Sequence, residues 1–213
     1  MIALGNPGSG KSTLLNSLAG EFLFESGISI GKGLTKELCK KKNNIATFLD
    51  TPGLDDPIIR NNAAKAITTG LKQNGNYKIL FLFTEKNGRI LEKDVMTLKS
   101  VLNAVPEIGK KYGIIVNKVS KRTLTELSKN PQEFIDIMFS GIKEESRCPV
   151  KRVMFLGMIK DLKGKTNIVA PCDMLKNDAG MTLHHFVHEE VPAVNIKEEN
   201  VCDMVVEDFD KEN

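Results

Sequence analysis

The stretch that decides the fold is Gly5-Asn6-Pro7-Gly8-Ser9-Gly10-Lys11-Ser12-Thr13, which follows the short apolar run Met1 to Leu4. It matches the phosphate-loop pattern G-x-x-x-x-G-K-[ST] in full. The glycines allow backbone N–H groups to turn inward around an anion, and a helix that starts at Lys11 adds the positive end of its dipole. The sequence therefore predicts a loop between a buried strand and a helix that binds the phosphates of a nucleotide.

Two side chains of this loop have separate expected roles. Lys11 supplies a flexible ammonium for the β- and γ-phosphates, and Ser12 supplies a hydroxyl ligand for Mg²⁺. The residues expected to contact the nucleotide here are Gly5, Asn6, Pro7, Gly8, Ser9, Gly10, Lys11, Ser12 and Thr13.

A second motif follows at Ile45 to Gly53, where the apolar run IATFL leads into the D-x-x-G pattern DTPG. Asp50, at a strand end beside the phosphate loop, can hold Mg²⁺ through water. Gly53 has no Cβ, so its backbone N–H can approach the γ-phosphate, and we expect Lys11 and Gly53 to serve catalysis. The alternative for Asp50 is an aspartate that only starts a turn before Pro-Gly.

The third expected metal ligand lies between these two motifs. Thr35 ends a glycine-rich loop that begins at Gly27, and it can place its hydroxyl on Mg²⁺ together with Ser12 and Asp50. Ser29 is the competing hydroxyl in the same loop.

Apolar runs alternate with helical periodicity through most of the chain, which predicts an α/β fold. We expect the three-layer phosphate-loop NTPase architecture, with a mostly parallel sheet of about six strands and helices on both faces. Residues 1–192 form this domain in the prediction. Residues 193–213 contain seven acids and two lysines, so we expect a flexible acidic tail. Predicted strands are 1–4, 37–43, 45–50, 77–83, 112–119 and 152–157, and predicted helices are 11–19, 60–72, 90–105, 124–143 and a short one from 173.

The base is expected to bind after the strand at Tyr112, where Asn117 and Lys118 match the start of the N/T-K-x-D motif of guanine-specific folds. In that motif the asparagine meets the base edge, the lysine stem lies along the ring, and the aspartate accepts two N–H bonds from guanine. Here Ser120 replaces the aspartate, and a hydroxyl cannot form that bidentate pair. Base preference between guanine and adenine is therefore open at this stage.

Composition narrows the class of partner and the compartment. The net charge of +3 is too small to argue for nucleic acid, and no apolar run approaches the length of a membrane span, so we expect no integral membrane segment. Four scattered cysteines favour a reducing, cytoplasmic compartment over a disulfide framework.

The ordered set of motifs resembles a translation-factor-class guanine-nucleotide-binding domain. More narrowly, it resembles the septin-like group that contains the avirulence-induced, immunity-associated nucleotide-binding proteins. The resemblance covers about Met1 to Gly157 and rests on GNPGSGKSTLLNSL, GISIGKGLTKEL, TFLDTPGLDD and EKNGRILEKDV. It implies GTP and GDP as ligands with Mg²⁺, slow GTP hydrolysis, and a GTP-dependent homo-oligomer or an effector protein as partner.

The residues agree with slow turnover. Leu54 follows Gly53, where a glutamine could orient the attacking water. Arg60 and Arg89 are the candidates for an internal arginine finger, and help from a dimer partner or activating protein is the other source. Two alternatives are a phosphate-loop ATPase or kinase of the same fold, and a non-catalytic scaffold that binds nucleotide to order its loops.

Overall fold

Strands and helices alternate along the chain, with the most apolar strands at the centre of the fold. The computed structural model describes residues 1–27, 34–35, 37–54, 60–139, 142–162, 164–171 and 173–205. Its strands are β1 (Ile2–Gly5), β2 (Cys39–Lys42), β3 (Thr47–Asp50), β4 (Gly75–Tyr77), β5 (Ile79–Lys86), β6 (Arg89–Ile90), β7 (Gly113–Val119), β8 (Val153–Gly157) and β9 (Val194–Ile196). Its α-helices are α1 (Lys11–Ala19), α2 (Arg60–Leu71), α3 (Glu92–Ala104), α4 (Lys121–Lys129), α5 (Pro131–Met138) and α6 (Leu183–His185).

The main sheet has the strand order β2-β3-β1-β5-β7-β8, with β6 paired to β5. Strands β3, β1, β5, β7 and β8 run parallel, whereas β2 joins the edge antiparallel to β3. The carboxyl ends of the parallel strands therefore meet at one edge of the sheet. The predicted α/β phosphate-loop architecture is confirmed.

Helices cover both faces of the sheet, and β5 shows how the two layers are built. Ile79, Phe81 and Phe83 pack into the core cluster that includes α2 and α3. Leu80 and Leu82, which point the other way along the strand, pack into the cluster that includes α1. Burial on both faces explains why this strand is a continuous apolar run in the sequence.

The position of β1 sets the position of the site. β1 lies between β3 and β5, so the loop that follows it emerges in the middle of the sheet, beside the ends of both neighbours. Helix α1 then returns across one face, with Leu14, Leu15 and Leu18 buried. Ligands of open α/β sheets bind beyond the carboxyl ends of the strands, which is where this loop lies.

The short helix predicted from Asp173 does not form there. Instead, residues 177–180 make a turn in which Gly180 N donates to Asn177 O over 2.9 Å, and Leu183 N donates to Leu175 O over 2.7 Å. The helical segment comes later, as α6 and a π-helical continuation, Phe186–Glu190. Asn and Gly favour the turn, and Thr182 accepts from His185 N and so starts the helix after it.

The prediction of a flexible tail at residues 193–213 is wrong for residues 193–205. Strand β9 pairs antiparallel with β4, and Cys202 N donates to Ala104 O over 2.8 Å at the end of α3. Val201 and Met204 are buried in the core cluster of α2 and α3. Apolar side chains spaced among the acids thus hold residues 193–205 on the domain, and residues 206–213 lie outside the described residues.

None of the helices in the described ranges is long and apolar enough to cross a bilayer.

The packing of β9 generates a stability prediction. Ile196 is 0% exposed, so Ile196→Ala is expected to lower the free energy of unfolding by about 2–5 kcal/mol, because it removes buried methyl groups and leaves a cavity. Val205 is 78% exposed, and Val205→Ala is expected to change the free energy of unfolding by less than about 0.5 kcal/mol. Urea unfolding of both variants measures this. Equal, negligible effects would mean that the segment is a tail after all.

Candidate nucleotide-binding site

The phosphate loop ends in a helix whose first turn has no side-chain cap. Gly10 is the N-cap of α1 in the left-handed region, with φ 101°, and no side chain among the described residues caps the first turn. A Cβ at Gly10 would lie 2.5 Å from Asn117 Nδ2, so only glycine fits both the dihedral and the contact. Uncapped N–H groups at the start of a helix are ready donors for an anion.

Lys11 extends into the centre of the loop. Its Nζ donates to the backbone oxygen of Gly5 over 2.9 Å and to that of Asn6 over 3.2 Å. Burial lowers the pKa of Lys11, while the carboxylates of Asp50 and Asp94 oppose that change. The ammonium is therefore held inside the loop, where phosphate oxygens would replace the carbonyl oxygens as its partners.

The three predicted metal ligands come together. Ser12 Oγ donates to Asp50 Oδ2 over 2.7 Å, and Thr35 Oγ1 donates to the same oxygen over 3.0 Å. Thr51 Oγ1 donates to Ala3 O over 2.7 Å and so fixes the end of β3 against β1. Ser29, the competing hydroxyl, lies outside the described residues.

Asp50 has an unused acceptor at this point. Its Oδ1 is buried and has no hydrogen-bond partner among the residues that the structure describes. Burial raises the pKa of Asp50 above its ordinary value, and Lys11 and the Ser12 and Thr35 hydroxyls oppose part of that rise. An unpartnered carboxylate oxygen next to two hydroxyls fits a hard cation such as Mg²⁺, directly or through bound water.

Gly53 lies directly against the phosphate loop. A Cβ at this position would be 2.2 Å from Pro7 Cδ and 2.4 Å from Pro7 N, so no larger residue fits without displacing the loop. Its neighbour Leu54 is 0% exposed and belongs to the hydrophobic core. The side chain at the position where a glutamine could orient water therefore faces away from solvent.

The two arginine-finger candidates differ in their surroundings. Arg60 is buried at the start of α2, and its Nε donates to Leu54 O over 3.1 Å, which holds the guanidinium against the backbone after DTPG. Arg89 is exposed in β6.

The predicted base-binding pair is tied to the phosphate loop. Asn117 Nδ2 donates to Ser9 O over 2.8 Å, and Lys118 Nζ donates to Gly8 O over 2.7 Å. The register between β7 and β8 shifts across these two residues, and Lys118 has a left-handed backbone, with φ 61°. A bulge of this kind re-aims side chains, which here brings both side chains onto the phosphate loop.

Ser120 has a role that the sequence did not predict. It is the N-cap of α4, where its Oγ accepts from Thr123 N over 3.1 Å and pairs with Thr123 Oγ1 over 2.9 Å. The hydroxyl at the position of the missing aspartate is therefore used to start a helix.

Thr13 and Ser9 complete the predicted set. Thr13 lies half-buried in the first turn of α1, and its carbonyl accepts from Ser17 Oγ over 3.0 Å. Ser9 Oγ is buried, with no hydrogen-bond partner within the described part of the chain.

A residue that the sequence analysis did not assign to the site supports it from α3. Asp94 is 0% exposed, and its Oδ1 accepts from Asn6 Nδ2 over 2.7 Å. Its Oδ2 accepts from Thr84 N over 2.7 Å, and Thr97 Oγ1 donates to Asn6 Oδ1 over 3.4 Å. The only signal in the sequence was an acid within the EKNGRILEKDV segment, because the contact to Asn6 spans 88 residues.

Asp94 predicts a specific pH dependence of stability. Burial raises its pKa to about 6, whereas an unfolded aspartate titrates near about 3.9. Because the folded state binds the proton more tightly, ionisation of Asp94 should lower the free energy of unfolding by up to about 3 kcal/mol as the pH rises from about 4 to 6.

Asp94→Asn removes this titration, so the difference between wild-type and variant stabilities should change over that interval. Asp136→Asn, an exposed acid in α5, is the control and should run parallel to the wild type. Denaturant unfolding across the pH range measures all three. Parallel profiles for wild type and Asp94→Asn would refute a titrating Asp94.

The chain is similar to a known protein family and to several solved structures. The profile of the 50S ribosome-binding GTPase family matches residues 1–118. The structure of Toc33 from Arabidopsis thaliana in complex with GDP and Mg²⁺ is similar, with a TM-score of 0.57 at 16% identity over 92% of this chain and 86% of that one. That of NFeoB from S. thermophilus bound to GDP·AlF4⁻ and K⁺ has a TM-score of 0.42 at 17% identity, over 79% of this chain and 62% of that one. No curated protein matches the chain.

The family profile spans more than half of the 213 residues and includes the phosphate loop, Asp50, Gly53, Asn117 and Lys118. The likeness to Toc33 shows the same phosphate-loop GTPase fold. The narrower resemblance to the avirulence-induced, immunity-associated group stays a prediction. On its sequence and its fold, the chain belongs to the 50S ribosome-binding GTPase family.

Proposed function

We propose that this protein is a Mg²⁺-dependent GTP-binding switch that hydrolyses GTP slowly. The observation that carries the proposal is the pair of contacts from Asn117 to Ser9 O and from Lys118 to Gly8 O. These contacts join the predicted base-binding loop to the phosphate-binding loop within the protein itself. One nucleotide can then be held at both of its ends with little further ordering of the protein.

The phosphates would bind in the loop from Gly5 to Gly10, with Lys11 as their cation. Ser12, Thr35 and Asp50 would hold Mg²⁺, whose charge offsets that of the phosphate oxygens. Gly53, pressed against Pro7, would sense the γ-phosphate through its backbone N–H. A change at the γ-phosphate would thereby reach the chain beyond Gly53, which supports a switch.

Slow hydrolysis is supported by the absence of a water-orienting side chain at position 54, where Leu54 is buried in the core. A dimer partner or an activating protein would then supply the missing group. This is the basis for GTP-dependent self-association, or binding of an effector, as the output of the switch in the cytoplasm. Membership of the avirulence-induced, immunity-associated group belongs to the same proposal.

Two other functions remain in competition, each favoured by one residue. Ser120 in place of aspartate favours an ATPase or kinase of the same fold, and the buried Leu54 favours a scaffold that binds nucleotide without turnover. Phosphate release under multiple-turnover conditions separates the enzyme from the scaffold. A rate per molecule that rises with protein concentration separates dimer-assisted from intrinsic hydrolysis.

One prediction of this proposal concerns base choice and the phosphate loop. Calorimetric titration with GTP, GDP and ATP in Mg²⁺ should give tighter binding of both guanine nucleotides than of ATP. Lys11→Ala should weaken all three by at least about 100-fold, because it removes charge-assisted bonds to phosphate.

Lys42→Ala, an exposed lysine in β2, is the matched control and should bind like the wild type. A thermal melt of each variant confirms that it is folded. ATP bound as tightly as GTP would contradict the guanine assignment, and unchanged affinity of Lys11→Ala would contradict the phosphate site itself.

Another prediction of this proposal concerns Mg²⁺. In the wild type, Mg²⁺ should raise GTP affinity over that measured in EDTA, and Asp50→Asn should lose most of this gain because an amide binds the cation poorly. Asp178→Asn, an exposed acid, should keep the gain. Because burial disfavours the charged form of Asp50, the variant should remain folded. The same Mg²⁺ gain in both variants would place the metal elsewhere.

A further inference from the structure

The base-binding loop lacks the carboxylate that guanine-specific folds place after Asn117 and Lys118. Ser120 cannot supply one, and its hydroxyl is already engaged by Thr123 as the cap of α4. Guanine presents two N–H donors on one edge, at N1 and at the 2-amino group, whereas adenine presents neither there. A site that selects guanine therefore needs a planar acceptor at this edge.

Glu85 brings a carboxylate to this place from the neighbouring strand. It lies at the carboxyl end of β5, one residue after Thr84, which is the register partner of Asn117 on β7. Its Oε2 accepts from Ser120 N over 3.0 Å, and its Oε1 accepts from Gly88 N. The carboxylate thus contacts the backbone of the very residue that replaces the aspartate.

Glu85 is 9% exposed, and a buried carboxylate is costly unless it has enough partners. The two backbone amides use about half of its acceptor capacity, since an ionised carboxylate has about four lone-pair sites. A neutral side chain could accept from an amide at lower cost. The remaining lone pairs of the two oxygens suit the two donors of the guanine edge.

Glu85 also borders an open space at the ends of the strands. It lines a cavity of about 870 Å³ together with Lys118, Ser120 and Met158. Lys118 is fixed on Gly8 of the phosphate loop, and Met158 N donates to Val119 O over 3.0 Å. Residues from the ends of β5 and β7 and the residue after β8 therefore line one cavity together with residues of α4 and α5, and Lys118 connects this cavity to the phosphate loop.

We propose that Glu85 is the residue that determines guanine specificity, with its carboxylate accepting the N1–H and the 2-amino group in place of the missing aspartate. The inference rests on the proposed binding of GTP and goes beyond it, because it names the group that reads the base. The backbone contacts to Ser120 and Gly88 hold this carboxylate in place.

The test compares GTP with ITP, which lacks the 2-amino group, and with XTP, which has an oxygen in its place. Wild-type protein should bind them in the order GTP, ITP, XTP. Glu85→Gln should weaken GTP by about 10- to 100-fold and raise the ratio of XTP to GTP affinity, because an amide can donate to the xanthine oxygen. Glu145→Gln, an exposed acid outside this cavity, should leave all three affinities unchanged.

A purely structural role for Glu85 gives a different result. If the carboxylate only braces the turn at Gly88, Glu85→Gln should weaken GTP, ITP and XTP by the same factor, and this would overturn the proposal. The outcome is also distinct from failure of GTP binding. Wild-type protein that binds neither GTP nor ATP refutes the proposed function, and the Glu85 inference falls with it.

A second variant covers the case in which Glu85→Gln does not fold. Ser120→Asp adds the aspartate found in guanine-specific folds. With Glu85 already reading the base, the added charge should not tighten GTP binding, and in the Glu85→Gln background, where that variant folds, it should restore preference for GTP over XTP. A gain of about 10-fold or more in GTP affinity from Ser120→Asp alone would show that no carboxylate served the base before, and would overturn the proposal.

Discussion

The uncapped start of α1 is the constraint on which the site depends. Within the described part of the chain, no side chain caps its first-turn N–H groups, because Gly10 stands at the N-cap. An N–H group that has no hydrogen-bond acceptor away from water costs free energy. A bound anion supplies that acceptor. The surrounding contacts fix the shape of this loop. Asp94 binds Asn6, and Gly53 packs against Pro7. Asn117 and Lys118 bind the backbone of Ser9 and Gly8, and Lys11 binds that of Gly5 from inside the loop.

Buried charge around the loop follows from the same constraint. Lys11 is the cation at its centre, and Asp50 and Asp94 are the acids whose fields act on it. Burial raises the pKa of both acids and lowers that of the lysine. The charged form of each of the three groups is therefore less stable here than in water. A polyphosphate with a divalent cation brings charges of both signs to the same place.

Much of the fold could be predicted from local patterns, whereas contacts between distant segments could not. The phosphate loop, the strand before Asp50 and the apolar run at Ile79 are short, dense signals, since a turn needs glycine and a strand buried on both faces needs continuous apolar residues. Strand β9 has only three residues, two of them buried, and this is too short an apolar pattern to indicate a strand. The acidic composition of the segment therefore led to the prediction of a flexible tail. The helix at residue 173 was wrong because turn chemistry at Asn177 and Gly180 outweighed a weak helical tendency.

The residues of the site also divide into those that a local pattern predicts and those that depend on distant contacts. The sequence predicted which residues would surround a nucleotide, because each belongs to a motif with fixed spacing. It did not predict Asp94 or Glu85, since a buried acid within a helix or at a strand end has no local signature of its distant partner. Ser120 is intermediate: the missing aspartate was visible, but the use of its hydroxyl as a helix cap depends on where α4 begins.

The central claim is that the loop from Gly5 to Ser12 holds nucleotide phosphate and that Ser12 and Asp50 hold its metal. A crystal structure of the protein with GDP and Mg²⁺ tests it most directly. We expect phosphate within hydrogen-bond distance of the first N–H groups of α1, and the metal bound to Ser12 Oγ, with Asp50 next to it directly or through water. Nucleotide bound away from this loop, or a metal bound away from both Ser12 and Asp50, would contradict this claim.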